Sequence, residues 1–294
     1  MPDHPLDTPP HDPFDATARE DAHYWRHGAL PDVDLLRARY VTHRFARHAH
    51  DGYVVGVVSY GVEAFHYRGA LHRSGPGQVI VINPDHDHTG QAGTPDGWAY
   101  RVLYPAVAVL RDIAAELAMP PGTPYFAEAV YTDPPLVRAL LTAHHAAERA
   151  DDLAASTLAR TAFGQLLRRH ASPPPARAVP AAGGTAVRLA REILHERLAD
   201  PPSLEDLAAA VGARPFPLLR AFKQATGLPP HAWLNTMRVR RARRLLDAGV
   251  PPARVAAEVG FTDQAHLTRH FKRVVGVTPG AYQRARVGRG AGRG

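Results

Sequence analysis

Leu267-Thr-Arg-His-Phe-Lys-Arg-Val-Val-Gly276 repeats Leu218-Leu-Arg-Ala-Phe-Lys-Gln-Ala-Thr-Gly227 at an offset of 49 residues, keeping Leu, Arg, Phe, Lys and Gly in place. Three residues beyond each glycine, Pro230 is matched by Pro279, and Trp233 is then matched by Tyr282. Upstream, Leu207-Ala-Ala-Ala-Val-Gly212 is matched by Val255-Ala-Ala-Glu-Val-Gly260 at an offset of 48, so the second copy carries one extra residue in its turn. Leu207 and Val211 stand four apart on a short helix that Gly212 ends, and Leu218 and Phe222 form the buried stripe of the next. Helix, glycine-containing turn, helix is the helix-turn-helix pattern, whose second helix lies in the major groove of DNA. Plain amphipathic hairpins with solvated cations would share the periodicity. They would not require the downstream proline and aromatic to recur with it.

Working outward, the segment after residue 184 reads as helical throughout. Seven helices are predicted, near 185–198, 204–210, 215–225, 231–247, 252–258, 263–274 and 279–286. Ser203 followed by Asp206 has the spacing of an N-cap, and Gly212 and Gly249 are expected C-terminal stops. Arg220 and Lys223 fall off the Leu218/Phe222 stripe, as Arg269 and Lys272 do in the second copy, which places cations toward bases and phosphates. Residues 183–294 hold 19 Lys/Arg against 8 Asp/Glu, a net of +11, whereas residues 1–182 hold 16 against 20, a net of −4. Only the back half is therefore charged for a polyanion. Arg238, Arg240, Arg241, Arg243 and Arg244 crowd one predicted helix and cannot share a face at 3.6 residues per turn; some are expected on phosphate and the rest in water. The Gly/Arg-rich stretch 284–293 is expected to be disordered and to add non-specific attraction.

The proline- and glycine-rich stretch 171–184 reads as a linker. Before it, 35–104 is strand-like: Tyr53-Val-Val-Gly-Val-Val-Ser-Tyr60 and Gln78-Val-Ile-Val-Ile-Asn83 are β-rich runs broken at Gly61, Gly69, Gly75-Pro-Gly77 and Asn83-Pro84, the spacing of a small barrel or sandwich. Residues 136–149 and 153–170 return to helical spacing, as helices that pack on the barrel or form a dimer interface. The chain has no cysteine, so disulfides, thiolate zinc sites and cysteine nucleophiles are excluded. No apolar run is long enough for a membrane span, and the acidic, proline-rich N-terminus has no signal-peptide core, so a cytoplasmic protein is expected. Neither a phosphate-binding Gly-x4-Gly-Lys-Ser/Thr loop nor a Gly-x-Ser-x-Gly elbow occurs.

Residues 185–286 resemble the AraC/XylS-type DNA-binding domain over its whole length, most closely in Val255-Ala-Ala-Glu-Val-Gly-Phe-Thr-Asp-Gln-Ala-His-Leu-Thr-Arg-His-Phe-Lys-Arg-Val-Val-Gly-Val-Thr-Pro-Gly-Ala-Tyr282. The resemblance implies seven helices, with two reading heads joined by the long helix around 231–247. In the second head Thr262 or Asp263 can cap the helix. Gln264, His266, Thr268 and Arg269 then offer donors and acceptors to base edges, and Ala265 can touch a thymine methyl. The first head departs from the family. Arg214 stands where a capping Ser or Thr is usual, and Pro215 and Pro217 flank Phe216, so Phe216, Leu219 and Arg220 face the DNA, with only Arg220 able to hydrogen-bond a base.

His48-Ala-His50 and His86-Asp-His88 have the composition of a metal site built from two strands. Residues 41–104 also resemble, more loosely, the cupin-type sensor found ahead of AraC-type DNA-binding domains. The resemblance rests on His43-Arg-Phe-Ala-Arg-His-Ala-His-Asp-Gly-Tyr53, Tyr67-Arg-Gly69, Gly75-Pro-Gly77 and Ile82-Asn-Pro84 running to His88-Thr-Gly-Gln91. It implies a small β-barrel with a ligand pocket. Cupin enzymes add a glutamate shortly after the first histidine pair; here Val54 and Val55 hold that place, so no metal and no other cofactor is expected, with His48, His50, His86 and His88 as the alternative metal set. His48, His50, Tyr53, Tyr60, Glu63, His88, Trp98 and Tyr100 are the expected pocket residues.

The sequence therefore predicts an α+β chain of two domains. A disordered N-terminus (1–20) precedes a cupin-like barrel with trailing helices (21–170). The linker (171–184), an all-α double helix-turn-helix domain (185–286) and a disordered tail (287–294) follow. The expected function is a ligand-responsive, sequence-specific transcription regulator and not an enzyme, with double-stranded operator DNA, a small effector, a second copy and RNA polymerase as partners. The DNA-contacting set is Phe216, Leu219, Arg220, Lys223, Gln264, Ala265, His266, Thr268, Arg269 and Lys272. Two other readings compete: a cupin metalloenzyme tethered to DNA, and a constitutive architectural DNA binder.

Overall fold

A computed structural model describes residues 20–149, 151–173 and 184–287, in two compact units: 20–44, 50–149 and 151–173 make the first, and Phe45–Ala49 group with 184–287 in the second. The expected disordered N-terminus up to residue 19, most of the linker (174–183) and the tail beyond 287 lie outside the described residues.

The first unit is built from strands β1 (Asp21–Arg26), β2 (Val33–Tyr40), β3 (Arg44–His48), β4 (Val54–Gly61), β5 (Glu63–Tyr67), β6 (Ala70–Ser74), β7 (Gln78–Ile82), β8 (His88–Ala92) and β9 (Trp98–Pro105). Helix α1 (Val107–Glu116), short strands β10 (Tyr125–Phe126) and β11 (Val130–Thr132), helices α2 (Pro134–Glu148) and α3 (Asp152–His170), and β12 (Ala171–Ser172) follow. One six-stranded sheet runs β1-β2-β9-β4-β7-β11, and a four-stranded sheet runs β3-β8-β5-β6; β10 and β12 pair separately.

In the large sheet Tyr40 lies opposite Trp98, Ala38 opposite Tyr100, Leu36 opposite Val102 and Asp34 opposite Tyr104. These residues share the face turned to the four-stranded sheet, while Arg37, Arg39, Ala99, Arg101 and Leu103 share the other. Both faces are covered, which explains why β4 and β7 read as near-continuous apolar runs rather than alternating ones. The outer face is covered by α2, which packs across β4, β7 and β9. Arg101 there pairs with Glu148 at 2.7 Å and with His144 Nδ1 at 3.1 Å, and His144 Nε2 lies 3.2 Å from the Leu36 carbonyl. Burial, reinforced by the Arg101 charge, holds His144 well below the usual histidine range, so a neutral ring donates to Leu36 and accepts from Arg101. The trailing helices thus pack on the barrel, one of the two arrangements that their sequence left open. Asp133 caps α2 by accepting from Leu136 N–H at 3.1 Å and also pairs with Arg169 and His170 at the end of α3, so it locks the two helices together.

The second unit is helical among the described residues: α4 (Gly184–Glu196), α5 (Leu204–Ala210), α6 (Pro215–Thr226), α7 (Pro230–Asp247), α8 (Pro252–Glu258), α9 (Gln264–Val275) and α10 (Pro279–Val287). These are the seven predicted helices, and α10 carries regular structure through Val287, into the stretch from 284 that composition assigned to a disordered tail. Ser203 caps α5 by accepting from Asp206 N–H at 3.1 Å. The sequence repeat reappears as packing. Phe222 meets Trp233 edge-on at 5.8 Å, and Phe271 meets Tyr282 edge-on at 5.3 Å. Each phenylalanine is wholly buried, a transfer term of about 2–3 kcal/mol apiece. Gly227 and Gly276, at φ of 74° and 85°, close α6 and α9 in the left-handed conformation and donate to Lys223 and Lys272 carbonyls at 2.8 and 2.9 Å. That conformation is why both copies end in glycine.

Candidate DNA interface and barrel interior

Helix α9 starts at Asp263, whose carboxylate accepts from His266 N–H at 2.6 Å. With the end satisfied, one face of α9 buries Leu267, Phe271, Val274 and Val275, and the opposite face presents Gln264, Ala265, Arg269 and Lys272 to solvent. His266 and Thr268 sit half-buried beside them. The Thr268 hydroxyl donates to the Gln264 carbonyl at 2.8 Å, which leaves its oxygen as an acceptor. His266 packs on Phe261 at 5.1 Å and on His270 at 4.9 Å, so its ring is propped from below. Five of the six sequence-predicted residues of this head therefore offer donors or acceptors, and Ala265 adds a methyl group among them.

The first head is built differently. Arg214 occupies the N-cap of α6 without a side-chain capping bond, and Pro215 and Pro217 fill the first turn, where their missing N–H groups cost nothing. Phe216 is 77% exposed, Leu219 is half-buried, and Arg220 and Lys223 are exposed. An apolar patch flanked by two cations replaces the polar surface of α9.

The arginines of α7 divide otherwise than charge alone suggested. Arg238 is buried: it donates to the Leu198 carbonyl at 2.9 Å and lies 5.6 Å over the Phe261 ring. Arg243 lies over Tyr282 and reaches its hydroxyl at 3.3 Å. Arg240 is pushed down to about 10, by burial first and then by Arg244 and Arg243. Arg238 is thus part of the core of the two-headed scaffold rather than a phosphate or solvent group, and half-buried Arg243 braces Tyr282. Arg241 and Arg244 are exposed.

In the first unit the space between the sheets is lined in a continuous series. His50 stacks near His88 at 5.2 Å and near Tyr104 at 5.2 Å. Tyr104 shares a hydrogen bond with Tyr100, and Tyr100, Tyr40 and Trp98 pack together at 5.2–6.2 Å. Glu63 lies close enough to perturb Tyr40 and Tyr100, and burial pushes its carboxyl up to about 8, so it is mostly protonated at neutral pH. Burial, before any charge, also holds the Tyr40 and Tyr100 hydroxyls well above the usual range. The Trp98 indole N–H, fully buried, has no hydrogen-bond acceptor among the described residues.

The structure thus gathers His48, His50, Glu63, His88, Trp98 and Tyr100 from the predicted pocket set. It sends two members elsewhere. Tyr53 donates to the Pro124 carbonyl and packs edge-on against Phe126. Tyr60, opposite Ala99 after a β-bulge, takes the outer face, with the Arg39 guanidinium 4.9 Å over its ring. His86 is held at the Pro84 carbonyl, 2.9 Å from its Nδ1, outside the trio of His48, His50 and His88. Tyr40 and Tyr104 complete the lining and escaped the sequence reading. Their signal was the period-two series Trp98, Tyr100, Val102, Tyr104, with Tyr40 paired to its first member.

With this geometry in hand, the chain matches two families: an AraC-like ligand binding domain over residues 30–163 and a helix-turn-helix domain over residues 207–285. The HTH-type transcriptional regulator YbfI of Bacillus subtilis is 27% identical over 236 residues, which is 80% of this chain and 86% of that protein. An AraC-like transcription regulator of Streptomyces antibioticus is 30% identical over 184 residues, 60% of this chain and 58% of that protein. ToxT from Vibrio cholerae shares the fold, with a TM-score of 0.50 at 10% identity over 92% of this chain and 98% of that one. No helix among the described residues is long and apolar enough to cross a membrane. An AraC-like sensor joined to two helix-turn-helix heads makes this chain a member of the AraC family of transcription regulators.

Proposed function

We propose that this regulator binds double-stranded operator DNA sequence-specifically through α6 and α9, and that a small effector held between the two sheets of the first unit alters that binding. The observation that carries the reading is the exposed face of α9, where Gln264, Ala265, Arg269 and Lys272 stand clear of a fully buried Leu267/Phe271 stripe. Such a helix offers hydrogen bonds that a base edge and its phosphates can use. Gln264, His266, Thr268 and Arg269 read bases, Ala265 approaches a thymine methyl, and Lys272 meets phosphate. Phe216, Leu219, Arg220 and Lys223 form the weaker first contact. The protein acts in the cytoplasm as a homodimer, with RNA polymerase as a further partner, and carries out no catalysis.

For the effector, β9 supplies a physical link. Tyr100 lines the interior, and its neighbour Arg101 holds Glu148 and His144 of α2 from the other face. An effector that prefers one setting of Tyr100 would thereby bias the α2–α3 hairpin. The test is thermodynamic. A preferred operator is selected from random duplexes, then effector and operator are titrated against each other by fluorescence anisotropy. Each is expected to change the affinity of the other by the same factor. Equal affinity for selected and scrambled duplexes would remove the DNA reading; independent binding at saturation would remove the effector reading alone.

A further inference from the structure

We propose that the first reading head recognises the 5-methyl group of a pyrimidine in the major groove, accepting thymine and 5-methylcytosine alike and rejecting cytosine and uracil. The inference rests on α6 contacting DNA and names what it reads there.

Each position of α6 has its counterpart 49 residues on, in α9. Arg220 and Lys223 keep theirs as Arg269 and Lys272. The uncharged hydrogen-bonding side chains do not survive: Gln264, His266 and Thr268 correspond to Pro215, Pro217 and Leu219. Ala265, which offers a methyl group, corresponds to Phe216, which offers a phenyl ring. Phe216, Leu219, Arg220 and Lys223 are spaced at i, i+3, i+4 and i+7, so they share one face of the helix. On that face Arg220 and Lys223 donate hydrogen bonds, and none of the four side chains accepts one. Thymine and cytosine differ in the groove at two places, a carbonyl oxygen against an amino group at position 4, and a methyl group against hydrogen at position 5. An apolar contact senses the second difference and is blind to the first.

The placement of Phe216 favours a base edge over another protein. Its ring is 77% exposed; among the described residues the other exposed large apolar side chains, Leu71 and Leu153, belong to the first unit. It sits in the first turn of α6, and the N-terminal residues of a recognition helix are the ones that meet base edges. Exposed Arg214 precedes it, and exposed Arg220 and Lys223 follow on its own face. A polyanion with an apolar group on its edge fits that combination, and the 5-methyl group is the apolar feature that the major groove presents. Pro215 and Pro217 fix φ on either side of Phe216, so the ring is carried on backbone already ordered and less freedom is lost on contact. 5-Methylcytosine carries its methyl group on the same ring carbon as thymine. It differs at position 4, which Phe216 and Leu219 cannot sense. Methylation of a cytosine in this half-site is therefore a change that the first head registers.

The experiment uses the full chain and the operator selected from random duplexes. Each thymine is replaced in turn by uracil, which lacks only the 5-methyl group, and affinity is read by fluorescence anisotropy. Within the first half-site uracil should weaken binding about fourfold, the equivalent of one methyl group left in water. At the same position cytosine should also weaken binding, and 5-methylcytosine should recover most of what cytosine loses. Phe216→Ala should lose most of this discrimination, while Gln264→Ala, in the other head, leaves it unchanged. Phe216 lies outside the core, and circular dichroism verifies that the variant folds. A uracil penalty that is absent at every thymine, or that Phe216→Ala leaves intact wherever it occurs, overturns the proposal. So does 5-methylcytosine that binds no better than cytosine. All three of these results leave the preference for selected over scrambled duplexes standing. Loss of that preference in the wild type would instead remove the DNA reading on which the proposal rests.

Discussion

The two reading heads share a scaffold and one exposed Arg and Lys each, and differ in the rest of the exposed surface. Both pack a Leu/Phe stripe against a downstream aromatic, with Phe222 on Trp233 and Phe271 on Tyr282, and both end in a left-handed glycine. The second head then adds what the first lacks. Its longer turn admits Phe261, buried between Arg238, His266 and His270, where the first head has the small Ala213. Its turn glycine, Gly260, is pressed so closely to Ala199 that a Cβ would stand 2.5 Å from the Ala199 carbonyl oxygen, whereas Gly212 faces open space. Its helix is capped and its surface is polar. A repeat in sequence thus specifies the buried half of a reading head and two of its exposed cations, and leaves the rest of the half that meets DNA free to differ.

The largest expected effect comes from removing the main hydrogen-bonding cation of each head. Arg269→Ala should weaken binding to the selected operator by about 1–3 kcal/mol, roughly 5- to 150-fold, with the loss concentrated at the base pair that it reads. Arg220→Ala should cost less and relax selectivity less, because its neighbours Phe216 and Leu219 add no second hydrogen bond to the first head's contact. Binding isotherms on matched and mismatched duplexes decide this. If Arg220→Ala proves the costlier and the more sequence-selective, the asymmetry runs the other way.

Smaller effects follow from the caps. Asp263→Ala removes the acceptor for His266 N–H and should cost α9 about 0.5–2 kcal/mol. Arg214→Ser gives α6 the acceptor that it lacks and should stabilise that helix by about 1 kcal/mol. Native-state hydrogen exchange reads both, helix by helix. Equal loss of protection in α6 and α9 on Asp263→Ala would mean that the heads open as one unit and that the cap is not local.

Much of this was legible in the sequence because it depends on short-range rules. The helix bounds of the second unit follow from Ser203, Gly212, Gly249 and the 3.6-residue stripes, and the exposed set on α9 follows from being off the Leu267/Phe271 stripe. What was not legible depends on contacts distant along the chain. Arg238 reads as one more surface cation until the carbonyls of Leu198 and Ala199, some 40 residues upstream, are found beside it. Tyr53 and Tyr60 look like pocket residues because aromatics on strands suit a pocket. A strand has two faces, though, and only pairing shows which one each tyrosine takes; the bulge between Val58 and Tyr60 shifts the alternation there. In the same way His48, His50 and His88 were visible as candidates, but only the folded chain shows that one nitrogen of each ring converges while His86 lies outside the trio.

The smallest expected difference between the heads is in acid. Burial, followed by the nearby His266, Arg273, Arg269 and Arg238 charges, holds His270 below the usual histidine range. At the equivalent place the first head has Ala221, which cannot titrate. Between the depressed folded value and the ordinary 6.5, the unfolded chain binds a proton that the folded head refuses. Stability of the second head must therefore rise with pH across that window and be lost as pH falls below about 6.5. Hydrogen exchange at pH 7.5 and 5.5, corrected for intrinsic rates, should show α9 losing protection on acidification while α6 holds. In His270→Gln the two helices should respond alike. If the difference survives that substitution, the acid sensitivity lies in another group of the second head, and the ring stacked on Phe261 is not its source.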